Sequence, residues 1–69
     1  MTESICQMDE FRTKRWFLNG VLHREDGPAI EWTSGTQYWY LNGRYVAASI
    51  PNNWHELVLL AQVEQIMND

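Results

Sequence analysis

The residues that could carry chemistry are concentrated in one tetrapeptide, His23-Arg24-Glu25-Asp26, which sets a base, a cation and two carboxylates side by side. Successive residues of a strand point to opposite faces, so His23 and Arg24 are poorly placed to serve one catalytic site. We therefore expect a structural role. His23 should pack its ring and hydrogen-bond to the turn, while Asp26 accepts backbone N–H groups of the Asp-Gly-Pro turn.

Other reactive side chains do not form a recognisable site. Cys6, His23 and His55 lie at none of the spacings typical of zinc ligands. Cys6 also falls in an N-terminal segment that we expect to be loosely packed, which disfavours a nucleophilic role. The glycines lie in predicted turns and form no phosphate-binding loop. The sequence therefore predicts no catalytic residue, no metal site and no cofactor, and thus no enzyme.

Length and composition limit the class of protein. The chain has 69 residues, a net charge of −4, four Trp and three Tyr, which predicts one folded domain rather than a disordered chain. A single cysteine allows no internal disulfide and favours a reducing cytosol. Residues 1–10 are acidic, unlike an export signal, and the apolar run 57–61 is too short to span a membrane. We expect a cytoplasmic protein with no membrane contact.

An internal repeat predicts the sheet. Residues 16–20 (WFLNG) recur as residues 39–43 (WYLNG), at an offset of 23. Asn-Gly after an apolar run is a strong signal for a two-residue hairpin turn. With the turn residues between the copies, the pattern predicts strands near 14–18, 21–24, 29–32, 36–41 and 44–47. We expect an α+β fold, with an antiparallel β-meander of about five strands over 14–48 after an N-terminal segment, 1–13.

A helix is predicted over 53–67, because 49–53 breaks the sheet and no Gly or Pro follows. On a helical wheel its apolar residues form two stripes. One stripe can cover the sheet (Trp54, Leu57, Val58 and Ala61), and the other has no evident cover (Leu59, Leu60, Val63, Ile66 and Met67). The second stripe predicts burial between two subunits or a docking surface. The alternative is a helix wrapped by the N-terminal segment.

Residues 16–32, with Gly35 and 39–43, resemble the MORN-like repeat variants of small bacterial and bacteriophage proteins. Their pattern is an aromatic pair, Asn-Gly, and then His-Arg-x-Asp-Gly-Pro-Ala, which residues 16–31 match closely. Residues 44–48 depart from it, as in a truncated terminal repeat. The resemblance covers 16–47 and implies hairpins stacked into a twisted sheet that binds proteins or self-associates. In phages, it further implies a small acidic protein that disables a host enzyme.

These observations lead to one functional hypothesis and its alternatives. We expect a non-enzymatic protein-binding module, phage-encoded, that inhibits a host defence or nucleic-acid enzyme by contact. Large aromatic residues and arginine dominate interface energies, so the sheet-side contact is assigned to Trp32, Trp39, Tyr40, Arg44 and Tyr45. The helix-side contact, with a partner or a second copy, is assigned to Leu59, Val63, Ile66 and Met67.

Three alternatives stay open. In the first, the aromatic residues have a purely structural role and stabilise the sheet through cross-strand pairs. The protein could be a structural module that self-associates through open sheet edges, with no separate target. It could also bind single-stranded nucleic acid through its aromatic face, which the charge of −4 opposes. Imitation of a nucleic acid by the carboxylates ranks below ordinary surface complementarity.

Overall fold

The computed structural model describes residues 4–67 and confirms an α+β fold, an antiparallel sheet followed by one helix. It has one strand more than predicted. The elements are β1 (Ile5–Met8), β2 (Lys14–Leu18), β3 (Val21–Leu22), β4 (Ile30–Glu31), β5 (Gln37–Leu41), β6 (Arg44–Ala47) and α1 (Trp54–Met67).

The strands follow the order β1-β2-β4-β5-β6, and β3 also pairs with β2. Both β3 and β4 lie along the edge of β2 that faces away from β1. β3 pairs with the end of β2 (Phe17 opposite Leu22), and β4 pairs with its beginning (Arg15 opposite Ile30). The loop between β3 and β4 therefore leaves the sheet and returns to the same edge.

The sheet consists of two equivalent units of three strands, β1-β2-β3 and β4-β5-β6. Met8 pairs with Lys14 in the first unit, and Glu31 pairs with Gln37 in the second, so both partners shift by the same 23 residues. The unpredicted strand β1 is thus the counterpart of β4. Cys6 lies in this paired strand, although its side chain is exposed.

The turns between the first two strands of each unit also match. Turns 9–13 and 32–36 each have five residues, and the N–H of the first residue donates to the carbonyl of the fifth, at 3.2 and 2.9 Å. The fourth N–H donates back to the first carbonyl, at 3.0 and 2.9 Å. The fourth residue is left-handed in both, Arg12 with φ 65° and Gly35 with φ 95°. The backbone repeat therefore begins well before the sequence repeat at Trp16.

Helix α1 packs on one face of the second unit. The core there comprises Trp39, Leu41, Trp54, Val58 and Ala61, with Val46 and Leu57 partly buried beside it. The rings of Trp39 and Trp54 meet edge to face with centroids 4.8 Å apart. This confirms that the predicted inner stripe of the helix covers the sheet.

The helix stands where a third unit would begin. Shifting the first strand of the second unit by 23 residues places Pro28 on Pro51 and Glu31 on Trp54. The chain is helical from Trp54 onward, so α1 replaces the strand that the repeat would supply there.

Candidate protein-interaction surfaces

The imidazole of His23 is fully buried and has a partner at each ring nitrogen. Its Nδ1 accepts the N–H of Asn42 at 2.9 Å, so the neutral ring carries its proton on Nε2. Nε2 lies 2.9 Å from Glu25 Oε2 and donates to it. His23 therefore packs its ring as expected, but it is bound to the second Asn-Gly turn and to Glu25, and it is closed to substrate.

Polar side chains around His23 attach α1 to the sheet. Gln62 donates to the Glu25 carboxylate at 2.8 Å, and Trp54 Nε1 donates to the Glu25 carbonyl at 2.8 Å. Gln65 donates to Asn42 Oδ1 at 2.8 Å. These bonds are directional, so they fix the rotation of α1 and with it the residues that the helix turns outward.

Arg24 serves a separate structural cluster. Its guanidinium lies over the Trp16 ring, 3.9 Å from the centroid. It donates to Glu31 at 2.9 Å, to Asp26 at 3.1 Å and to the Pro28 carbonyl at 3.2 Å. Asp26, expected to accept backbone N–H groups, thus accepts from the side chain of Arg24. His23 and Arg24 belong to different contacts, as predicted, although β3 ends at Leu22 and neither residue lies in a strand.

The two units cover their equivalent tryptophans differently. Over Trp16 lies the ion pair of Arg24 and Glu31. At the corresponding positions of the second unit the chain has Ala47 and Trp54, and the indole of Trp54 packs against Trp39. Arg24 therefore covers the tryptophan of the first unit, and Trp54 of α1 covers that of the second, while His23 and Glu25 bind the second Asn-Gly turn and α1.

One residue of the predicted sheet-side contact is misassigned. Trp39 is only 7% exposed and belongs to the core beneath α1, so its side chain cannot line a surface. The error has a simple cause: residues 38–40 place aromatic rings on alternating faces, and the sequence does not say which face the helix covers. The neighbouring Tyr38 and Tyr40 point to the opposite face and are half-buried.

The other sheet-side residues lie at or near the surface. Tyr45 is 55% exposed, and its ring meets Tyr40 at 5.6 Å and Tyr38 at 6.0 Å, both edge to face. We call Tyr38, Tyr40 and Tyr45 the tyrosine cluster. Trp32 is 41% exposed and has the Arg15 guanidinium 5.6 Å from its ring. Trp32 lies in turn 32–36, directly after β4.

A groove of about 430 Å³ runs between β6 and α1. Arg44 lies on its wall and forms an ion pair with Glu64 of the helix. Tyr45 and the exposed Leu60 also line it. The groove therefore joins two of the predicted sheet-side residues to the helix.

The second apolar stripe of α1 is exposed along its length. We call this set the outer stripe, and its exposed fractions are Leu59 49%, Leu60 62%, Val63 51%, Ile66 75% and Met67 79%. Residues 4–13 do not wrap the helix, since β1 pairs with β2 and the outer stripe stays open. The four residues assigned to the helix-side contact are thus all at the surface.

Ion pairs within the chain occupy much of its positive charge. Arg15 pairs with Asp9, Arg24 with Glu31, and Arg44 with Glu64. The hydrogen bond from Arg15, followed by backbone N–H bonds, holds the pKa of Asp9 below its ordinary value. Of the five Lys and Arg residues in the sequence, these three already face a carboxylate.

Searches of residues 4–67 for further sites gave negative findings. Their His, Cys, Asp and Glu side chains form no group of three that could hold a metal ion. The part of the chain that the structure describes contains no helix with the length and apolarity needed to cross a membrane. No family model, curated protein or solved structure matches the chain.

Proposed function

We propose that this protein is a non-enzymatic protein-binding module that acts by covering a surface of another protein. The observation that carries the proposal is the outer stripe of α1. A helix with apolar residues on two opposite sides is normally buried on both. Here the inner side packs on the sheet, while five large apolar side chains opposite it are about half exposed or more. Exposed apolar surface of this kind is typical of interaction sites.

The groove beside α1 supports the same proposal. It brings the Arg44 cation next to Leu60 of the outer stripe, while the ring of Tyr45 packs on Tyr38 and Tyr40, on the sheet face away from α1. Tyrosine and arginine are common anchors of protein interfaces. We assign one contact to the outer stripe and this groove, and another to Tyr45 and Tyr40, whose rings meet on the opposite face of the sheet. Trp32 does not line the groove and would make a separate contact.

In its narrower form, the protein is a phage-encoded inhibitor of a host defence or nucleic-acid enzyme, acting in the host cytoplasm. The support is the MORN-like resemblance, together with a net charge of −4 that suits a basic protein surface. Binding to single-stranded nucleic acid is less well supported. Three of the five Lys and Arg residues pair with carboxylates, so they offer little attraction to phosphate.

The experiment is an affinity capture with matched variants. The tagged protein is expressed in bacteria, the lysate is treated with nuclease and washed at moderate salt, and the retained protein is identified. Val63→Glu places a charge in the middle of the outer stripe, while Thr33→Glu adds the same charge at an exposed site in turn 32–36. We expect one partner at near-equal amounts with the wild type and Thr33→Glu, and at least about tenfold weaker binding with Val63→Glu.

The purified partner then tests the inhibitor form. Its activity, titrated with the wild-type protein, should fall to a stoichiometric end point that Val63→Glu does not reach. Recovery of the bait alone would argue against a separate target. A partner retained equally by all three proteins would show that the outer stripe is not the contact. If retention of the partner depends on nucleic acid, the result would favour the alternative in which the aromatic face binds single-stranded nucleic acid.

A further inference from the structure

The outer edge of β1 is the second surface that the fold leaves open. Among the described strands β1 is the end of the sheet and pairs only with β2. All four of its side chains are exposed, Ile5 at 68% and Met8 at 60%. Its sequence, Ile-Cys-Gln-Met, contains no charge and no proline, which are the residues that usually protect an edge strand.

Hydrogen bonds on β2 show which way its backbone groups point. The Trp16 N–H donates to the Ala29 carbonyl at 2.8 Å, and the Trp16 carbonyl accepts from the His23 N–H at 3.0 Å. Both bonds are made on the side of β3 and β4. Because successive residues of a strand alternate in direction, Arg15 and Phe17 direct their N–H and C=O groups toward β1.

The same alternation defines the open edge of β1. Gln7 and Ile5 lie opposite the β2 residues that point toward β1, so their backbone groups make the β1–β2 bonds. The N–H and C=O groups of Cys6 and Met8 therefore point away from β2, to the open edge. Two residues at alternate positions thus present donors and acceptors in strand geometry that pair with no other described strand.

The second unit shows this edge in use. Ala29, 23 positions after Cys6, accepts the Trp16 N–H with its carbonyl across the junction between the units, while its own N–H donates to Tyr38 in β5. Glu31, 23 positions after Met8, pairs with Lys14 of β2 across the same junction. The corresponding strand β4 has β2 along that side and β5 along the other. The first unit repeats the same strand and register, with no described strand in the place that β2 takes beside β4.

We propose that a second copy of this chain occupies the edge, its β1 pairing antiparallel with the first about a two-fold axis near Gln7. Cys6 of one copy then pairs with Met8 of the other, and the reverse, so the outward groups of both residues are satisfied. The uncharged strand can oppose itself without like-charge repulsion. Helix α1 packs on the second unit, at the other end of the sheet, and leaves the edge accessible.

A two-fold pairing predicts a closed dimer rather than a polymer. The strand at the opposite end of the order, β6, carries Arg44 and lies beside α1. Pairing of β1 with β6 of another copy would be heterologous and would extend without limit unless the ring closed. Pairing of β1 with β1 uses the β1 edge of both copies at once and leaves no β1 edge for a third copy. The mass of the assembly therefore distinguishes the two arrangements.

The test compares Cys6→Pro with Cys6→Ala by sedimentation equilibrium, under reducing conditions, up to about 1 mM. Proline removes only the outward N–H of Cys6, which makes no bond to β2, whereas alanine keeps it. We expect a monomer–dimer equilibrium for the wild type and Cys6→Ala, and at least tenfold weaker association for Cys6→Pro. Hydrogen exchange should slow at Cys6 and Met8 when wild-type concentration rises.

If Cys6→Pro loses its native circular dichroism, Met8→Lys replaces it in the test. The lysine variant keeps every backbone hydrogen-bonding group and places two like charges at the edge, one from each copy. It should weaken the dimer by a similar factor. A monomer throughout the concentration range, or open-ended polymers, would overturn the proposal. So would a dimer that Val63→Glu abolishes and the β1 variants leave intact, since its interface would then be the outer stripe.

Discussion

Replacing Gly27 by alanine tests whether the Arg24 cluster holds the first unit together. A Cβ built on Gly27 would lie 2.6 Å from Arg24 Cζ and 2.8 Å from its Nε and Nη1. Atoms cannot remain that close, so the guanidinium at the end of the flexible Arg24 side chain must shift. That group is held over Trp16 and bonded to Glu31 and the Pro28 carbonyl. The Gly27→Ala variant should therefore weaken the contacts that Arg24→Ala removes entirely.

The magnitude follows from those contacts. The ion pair with Glu31, at 20% and 34% side-chain exposure, contributes up to about 1 kcal/mol. The bond to the Pro28 carbonyl from a charged donor contributes about 1.5 kcal/mol, and the cation over Trp16 about 1 kcal/mol. Asp26 is 87% exposed and adds little. We expect Arg24→Ala to cost about 2–3 kcal/mol, or roughly 10–20 °C in Tm for a domain of this size.

A double-mutant cycle gives the decisive comparison. Gly27 does not have a left-handed φ, so its backbone accepts alanine. With Arg24 already removed, Gly27→Ala should be neutral or stabilise by about 0.5 kcal/mol, because alanine restricts the unfolded chain. Urea and thermal unfolding of the four proteins measures the coupling. Equal destabilisation by Gly27→Ala in both backgrounds would refute the reasoning, since the collision would then not involve the guanidinium.

Two further predictions concern the core and the acid response. Trp39→Ala should lower the free energy of unfolding by about 3–5 kcal/mol, because it removes a buried ring from beneath Trp54. Tyr45 is 55% exposed, so Tyr45→Ala should lower it by less than about 1 kcal/mol. Urea unfolding that gave the reverse order would contradict this prediction. The lowered pKa of Asp9 means that the folded state favours its charged form. The contribution of Asp9 to the free energy of unfolding is therefore complete above the unfolded pKa of about 3.9, and it is lost as pH falls through the lower folded pKa. Asp9→Asn should flatten the fall of Tm below about pH 4, and an unchanged acid profile would show that the Arg15 bond does not stabilise the fold.

The sequence predicts most of the second unit but misses the first strand of the first. Strand β6 has the predicted bounds, 44–47, and helix α1, predicted over 53–67, begins one residue later, at Trp54. The sequence repeat does not reveal β1, because Ile5–Met8 has no residue in common with 28–31, its structural counterpart. What repeats there is the backbone register and a left-handed turn residue, Arg12 in one copy and Gly35 in the other. Extending the offset of 23 backward from Trp16 would have found it.

The burial of Trp39 shows a different limit. Periodicity separates the faces of a strand, but it does not say which face a distant helix will cover. Trp16 and Trp39 occupy equivalent positions, yet a guanidinium covers one and an indole covers the other. The deciding residue, Trp54, lies on a helix that belongs to no repeat. Tertiary contact, and not local pattern, therefore decided which of the aromatic residues remained available to a partner.

The position of α1 strengthens the functional interpretation of its outer stripe. An array of stacked units needs a terminal element to cover its last apolar face, and such a cap normally has a polar outer surface. Trp54 and Val58 meet that need by closing the core over Trp39. Exposed apolar residues such as Val63 and Ile66 contribute nothing to closing the array, and they lower solubility. A cap with polar residues at those positions would end the sheet equally well, so the outer stripe supports the proposal that α1 contacts another protein.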